Sequence, residues 1–177
     1  MDYSKEEIAA LIDGKLEWSR VQEIMRGPRD ADRFEKYVEI LQKRVPWKER
    51  ILLPLTTHLY IVQKGKDRIV KCDCGHEFGD YRINWKINAL IYVRDTEERL
   101  DEIYPGMRKP DPEYGQLREY ICPGCGTLLE VESLPRGCWA DFEWLPDLDS
   151  FYRDWLKKPL PDEKEFVDKT LEAMKGW

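Results

Sequence analysis

Two pairs of cysteines, far apart along the chain, constrain the fold more than any other feature of this sequence. The first pair stands in the run 72–76, CDCGH, and the second in the run 122–126, CPGCG. Each looks like a metal-binding knuckle, and two knuckles supply the four donors of one tetrahedral site. Thiolates suit zinc, and the glycine after each second cysteine permits a turn at positive φ. The predicted zinc ligands are Cys72, Cys74, Cys122 and Cys125.

Several alternatives to this assignment stay open on the sequence alone. His76 could replace one thiolate, a rubredoxin-like iron would use the same four sulfurs, and a redox dithiol would need only Cys122 and Cys125. Four unrelated buried thiols are a further alternative, since free cysteine is among the most buried residue types. The paired spacing favours a metal. Cys138 lies outside both pairs and is predicted to be a packed thiol.

A four-thiolate zinc leaves no open position for water or substrate, so it would hold structure rather than catalyse hydrolysis. Structural zinc binds small peptides with an apparent free energy of about 10–16 kcal/mol at neutral pH, which exceeds the stability of many whole domains. We therefore expect metal removal to unfold the region between the two cysteine pairs.

Composition excludes some classes of protein. The 177 residues are 42% hydrophobic and 36% charged, with a mean hydropathy of −0.66. No window approaches the roughly 18 uncharged apolar residues that span a membrane, and the amino terminus lacks the apolar stretch of a secretory signal. A cytoplasmic location is expected, where thiols stay reduced.

Charge and aromatic content bear on the partners of the chain. The balance of 29 basic against 35 acidic side chains gives a net charge of −6, the wrong sign for a protein that coats nucleic acid. No nucleic acid or membrane partner is therefore predicted. The 7 tryptophans and 9 tyrosines are a heavy aromatic load, which predicts a protein-protein interface.

Periodicity predicts an α+β fold: a zinc-ribbon-like antiparallel β core with N-terminal helices and peripheral C-terminal helices. Helices are expected to begin at Ser4, near Glu17 and near Asp30 or Asp32. Strands are expected over 58–63, 68–72, 84–94, 117–121 and 127–132, and further helices over 96–104, 149–156 and 162–175. The predicted division is a helical segment 1–50, a zinc-ribbon core 51–135 and an aromatic-rich helical tail 136–177.

The sequence contains no recognisable motif for an active site of its own. The sequence lacks the glycine-rich phosphate loops and the nucleophile elbow, and His58 and His76 are its two histidines. His58 heads a predicted strand and is interpreted as a packed or solvent-exposed residue. The basic residues Lys64, Lys66, Arg68 and Lys71 could contact phosphate, but a solvated hairpin tip is the favoured interpretation.

Longer motifs around the cysteines carry a family resemblance. They are YVEILQKRVPW at 37–47, ILLPL at 51–55, CDCGH at 72–76, YVRDT at 92–96 with EIYP at 102–105, and REYICPGCGT at 118–127. In this order, over roughly residues 3 to 157, the chain resembles the acetone carboxylase gamma subunit family. The tail from Pro161 onward extends beyond the pattern.

The resemblance implies a small, non-catalytic zinc subunit of a hetero-oligomeric ligase that forms a carbon-carbon bond. Such complexes join acetone, or a related ketone such as acetophenone, to bicarbonate and use ATP to activate both. The resemblance carries the four cysteines over as ligands of a structural zinc. It assigns ATP and a divalent metal such as Mn or Mg to larger catalytic subunits. The contrasting hypotheses are a free-standing zinc-ribbon module for nucleic acid or a regulatory protein, and a small redox protein.

Overall fold

The computed structural model describes residues 3–28, 30–106, 108–140 and 142–175. Three helices come first: α1 (Lys5–Ile12), α2 (Trp18–Arg26) and α3 (Arg33–Gln42). The predicted start of α1 is confirmed, because Ser4 and Glu7 form a capping box in which each side chain accepts from the backbone N–H of the other residue. The helices pack around Tyr3, Ile8, Ile24 and Ile40.

Helix α2 buries only part of its apolar surface. Ile24 lies in the helical core, but Trp18 and Met25 are 66% and 75% exposed. The helix instead turns Arg20 inward, where the guanidinium pairs with Glu7 of α1 at 2.8 Å. Residues four apart share a helix face, so the inward stripe runs through Arg20 and Ile24.

A four-stranded antiparallel sheet follows, in the order β1-β2-β3-β4. Its strands are β1 (Arg50–Pro54), β2 (Leu59–Lys64), β3 (Asp67–Cys72) and β4 (Glu77–Asp80). The predicted hairpin over 58–72 is confirmed as β2 and β3. Both faces of the sheet are covered, since Ile61 and Val70 belong to one core cluster and Val62 and Ile69 to another. The second cluster includes Leu41 of α3.

A second antiparallel sheet has the order β5-β6-β7. Its strands are β5 (Leu90–Arg94), β6 (Gly115–Ile121) and β7 (Leu128–Pro135), and helix α4 (Glu97–Asp101) follows β5. The strand predicted over 84–94 is wrong in its first half, where Trp85–Asn88 forms a 3-10 helix. The Asn84 side chain accepts from the backbone N–H of Lys86 and caps this turn, a local bond that competes with strand pairing.

The C-terminal part contains α5 (Leu148–Ser150), a π-helical turn Phe151–Trp155 and α6 (Thr170–Met174). The helix expected to begin at 149 begins at Leu148, where Asp147 caps α5, and Asp149 is buried against Arg68. The helix expected over 162–175 is confined to α6, with Phe166 and Leu171 exposed.

The α+β class is confirmed, and the three-part division of the chain stays a prediction. Within the part of the chain that the structure describes, no helix combines the length and apolarity needed to cross a bilayer.

Candidate metal centre

The first cysteine pair lies in the turn from β3 to β4. The backbone N–H of Cys72 donates to the carbonyl of His76 at 2.8 Å, and the N–H of Gly75 donates back to the carbonyl of Cys72 at 2.9 Å. Gly75 has a φ of +103°, a conformation that side chains disfavour. The glycine predicted from the motif is therefore required by this turn.

The second pair lies in the turn from β6 to β7 and repeats the same backbone pattern. The N–H of Cys122 donates to the carbonyl of Thr127, and the N–H of Gly126 donates to the carbonyl of Cys122, both at 2.9 Å. Gly124 is where the two turns meet. A Cβ atom there would lie 2.8 Å from the Cβ of His76 and 3.3 Å from the sulfur of Cys74.

The two turns gather all four predicted sulfurs. The Sγ atoms of Cys72, Cys74, Cys122 and Cys125 lie within 4.8 Å of one another. The Cys72–Cys125 and Cys74–Cys122 sulfur distances are 3.9 and 3.8 Å. Four sulfurs placed tetrahedrally at zinc-thiolate bond length are separated by about 3.8 Å. The donor set therefore fits a tetrahedral, thiophilic ion.

His76 lies beside the four sulfurs and makes contacts of its own. Its ring packs edge-on against Phe78, with centroids 4.9 Å apart at an interplanar angle of 82°. The four-sulfur group does not include it. The backbone carbonyl of His76 closes the first turn, so the residue contributes structure beside the sulfurs.

The environment divides the four thiols into two kinds. Cys72 and Cys122 are buried, whereas Cys74 and Cys125 are exposed. Burial raises the pKa of the Cys72 and Cys122 thiols, because a buried thiolate loses hydration. Hydrogen bonds from the hydroxyl and backbone of Thr127 lower the pKa of Cys125 to about 7. A bound divalent cation would favour the thiolate form at every one of these positions.

Two side chains make contacts at the first turn that the sequence did not predict. The indole N–H of Trp47, before β1, donates to the carbonyls of Cys72 and Asp73. His58 Nδ1 lies 2.6 Å from Asp73 Oδ2, so His58 is paired rather than simply packed or solvated. Neither contact is local in sequence, and no motif spacing predicts them.

Two sequence interpretations are corrected by the structure. Cys138, predicted to be packed, is exposed. The interpretation as a solvated hairpin tip holds for Lys64 and Lys66, which are exposed, but not for Arg68 and Lys71, which are 2% and 5% exposed. Arg68 binds Asp149, and Lys71 binds Glu49 at 2.7 Å. Lys64 pairs with Glu77 at 2.6 Å. These pairings neutralise three of the four charges that phosphate binding would use.

A second polar cluster lies beneath the other sheet. Lys86 is 2% exposed and is contacted by three carboxylates, with Glu130 at 2.7 Å, Glu143 at 3.6 Å and Glu132 closer still. The hydroxyl of Tyr120 donates to Glu132 at 2.5 Å. Burial raises the pKa of Glu130 and raises that of Tyr120 to about 12. Glu130 and Glu132 lie two residues apart on β7, a spacing that is equally common on solvated strand faces and so did not mark them as a buried cluster.

The fold and the site define a small α+β protein in which two β-hairpins from different sheets present cysteine pairs to one four-sulfur centre. The family model for the acetone carboxylase gamma subunit matches residues 45–156, which include all four cysteines. The chain is 41% identical to the acetone carboxylase gamma subunit of Xanthobacter autotrophicus, over 93% of this chain and 99% of that protein.

A second relative is the acetophenone carboxylase beta subunit of Aromatoleum aromaticum. It is 30% identical over 80 residues, which cover 44% of this chain and 62% of that protein. Because the match to the Xanthobacter protein covers nearly the full length of both chains, and the family model matches as well, the chain belongs to the acetone carboxylase gamma subunit family.

Proposed function

We propose that this chain is the small zinc-binding subunit of an ATP-dependent ketone carboxylase complex. The observation that carries the proposal is the 41% identity to an acetone carboxylase gamma subunit over nearly the full length of both chains. The complex would join acetone, or a related ketone such as acetophenone, to bicarbonate and form acetoacetate or its analogue. A cytoplasmic location is part of the same proposal.

Cys72, Cys74, Cys122 and Cys125 would hold the zinc. When bound, the ion supplies the positive charge that keeps four neighbouring sulfurs in the thiolate form. Because four thiolates saturate tetrahedral zinc, the proposed role is structural. Support comes from the sulfur distances of 3.8 and 3.9 Å and from the origin of the pairs in two separate sheets.

The larger subunits would carry ATP, a divalent metal such as Mn or Mg, and the carbon-carbon bond-forming step. In this chain the two histidines already have structural contacts, His58 with Asp73 and His76 with Phe78. Exposed aromatic side chains support an interface with such partners, since tryptophan is enriched at interface centres. Among the tryptophans that the structure describes, Trp18, Trp139 and Trp155 are the most exposed.

The test is purification of the native assembly through an affinity tag on this chain. We expect larger subunits to co-purify, with zinc near one per copy of this chain and with ATP hydrolysis stimulated by a ketone. Acetone and acetophenone, assayed side by side, would identify the preferred substrate. Recovery of the chain as a monomer, without partners and without ketone-dependent ATP use, would contradict the proposal.

A further inference from the structure

We propose that Trp47 is a positioning residue of the metal centre. Its indole N–H would fix the backbone between the first two sulfur ligands and so set the geometry in which they bind the metal. The inference rests on the four-thiolate centre proposed above and extends it to a residue outside both cysteine turns.

The hydrogen bonds of Trp47 fall on a specific piece of backbone. Its Nε1 atom lies 3.1 Å from the carbonyl oxygen of Cys72 and 3.1 Å from that of Asp73. These carbonyls belong to the two peptide groups that connect Cys72 to Cys74. A single donor therefore restrains both peptide planes between the two ligands, and peptide orientation determines where the flanking Cβ and sulfur atoms point.

The indole ring is itself held from several sides. It packs against Tyr60, with ring centroids 5.9 Å apart, and the ammonium of Lys71 lies 5.2 Å from its centroid. Lys71 is fixed in turn by Glu49 at 2.7 Å. A Cβ atom on Gly75 would be in van der Waals contact with the ring at 3.6 Å, so the indole lies directly against the turn.

The two cysteine turns differ in their need for such support. In the second turn Pro123 follows Cys122, and its ring fixes one backbone torsion between the ligands. The first turn has Asp73 at the corresponding place, where no ring fixes a torsion and the backbone N–H donates to the carbonyl of His58 at 3.0 Å. When a residue that hydrogen-bonds to the metal site from outside the ligand set is mutated, metal affinity typically falls by about 10–100-fold. We infer that Trp47 supplies this restraint to the first turn.

The experiment compares Trp47→Phe with Trp155→Phe in the zinc-loaded full-length chain. Phenylalanine keeps an aromatic ring at position 47 and removes the N–H donor, and Trp155, at 79% exposure, is the matched control. Zinc transfer to a chromogenic chelator and the visible spectrum of the cobalt-substituted protein are measured. We expect Trp47→Phe to release zinc about 10-fold faster or more and to shift the thiolate-cobalt bands, with Trp155→Phe like wild type.

Release within twofold of wild type together with an unchanged cobalt spectrum would overturn the proposal. If Trp47→Phe does not fold, 3-benzothienylalanine at position 47 decides the question, because it keeps the ring shape and replaces N–H with sulfur. If the wild-type chain takes up no zinc, the proposed metal centre itself is disproved. If the wild-type chain binds zinc and Trp47→Phe behaves like it, the metal centre stands and only the role of Trp47 is disproved.

Discussion

At the scale of single residues, the proposed metal centre depends on four sulfur atoms and on the glycines of the two turns that bring them together. Two of its sulfurs are buried, and burial raises the pKa of both thiols, so these residues depend on a cation to become thiolates. The glycines around them permit positive φ and close approach of the turns. Each of these properties can be tested by one substitution.

Replacing Cys125 by serine should abolish tight metal binding. A hydroxyl is a poorer zinc ligand than a thiolate, and three sulfurs would leave the site open. Zinc content measured by mass spectrometry should fall well below that of wild type, and the assembled complex should be lost. Cys138→Ser, which changes an exposed thiol outside the group, serves as the control. A fully active, zinc-free assembly of the Cys125 variant would count against the prediction.

Replacing Gly124 by alanine should weaken the contact between the two turns. The added methyl would lie 2.8 Å from the Cβ of His76, closer than van der Waals contact permits. Overpacking of this kind costs about 1–3 kcal/mol, which urea unfolding of the zinc-bound protein would detect. Gly115→Ala is the matched control, because its nearest neighbours are at the ordinary distances of 3.7 and 3.9 Å. Equal loss of stability in both variants would show that the close approach is unimportant.

At the scale of secondary-structure elements, one buried ion pair ties a strand to the C-terminal segment. The guanidinium of Arg68 in β3 donates two hydrogen bonds to Asp149 in α5, at 2.6 and 2.7 Å. It also donates to the carbonyls of Pro161 and Asp162. Arg68 thus helps attach the C-terminal chain to the first sheet, together with Tyr152, whose hydroxyl donates to the carbonyl of Leu52 in β1 at 2.8 Å.

Asp149→Asn should destabilise the protein strongly, since it leaves the Arg68 charge buried without its counterion. Breaking a buried pair costs about 3–5 kcal/mol. Thermal or denaturant unfolding measures the loss. Asp154→Asn removes an exposed partner of Arg153 and should have little effect. Comparable stabilities for the two variants would mean that the Arg68 pair contributes no more than a surface contact.

The same pair should make stability depend on pH. Burial alone would raise the pKa of Asp149, but hydrogen bonds from Arg68 and from the backbone of Lys164 bring it below its ordinary value. A lowered folded-state pKa contributes stability that is present above the unfolded value of about 3.9 and is lost as pH falls through the folded value. We expect the unfolding free energy of wild type to fall over this acidic range more steeply than that of Asp149→Asn. Parallel curves would contradict the assignment.

At the scale of the whole molecule, the four-sulfur centre joins two sheets that share no strand. One pair extends from β3 and the other from β6, so a metal there closes the long segment 75–121 into a loop. Closing a long loop by a metal reduces the conformational freedom of the unfolded chain, which stabilises the folded one.

Removal of zinc should therefore loosen both sheets and leave the N-terminal helices less affected. Hydrogen exchange measured before and after chelation should lose protection over 69–80 and 117–132, while α1 and α2 retain theirs around Tyr3, Ile8 and Ile24, in a cluster that includes no strand residue. Adding zinc back should restore protection. Unchanged hydrogen exchange in the two sheets after chelation of the zinc would show that the fold does not depend on the ion.

Local patterns in the sequence predicted much of the fold. The capping box predicted the start of α1, and the alternation of apolar and polar residues predicted the β2–β3 hairpin. The paired spacing pointed to the four cysteines whose sulfurs the structure brings together, although their binding of zinc stays a proposal. These signals succeed because each depends on neighbours along the chain, where the period of a helix, a strand or a turn fixes the geometry.

Tertiary structure alone decided the contacts that surround these elements. Trp47 reaches the carbonyls of a turn 25 and 26 positions away, and Arg68 meets Asp149 across 81 positions. Lys86 gathers its carboxylates from β7 and from the segment beyond it. No sequence period relates such residues, because their proximity arises only when two sheets and the C-terminal chain have packed. The four cysteines could be predicted from the sequence because ligands that bind one metal from a tight turn have a recognisable spacing. An indole or a guanidinium can reach its hydrogen-bond partner from any position in the chain.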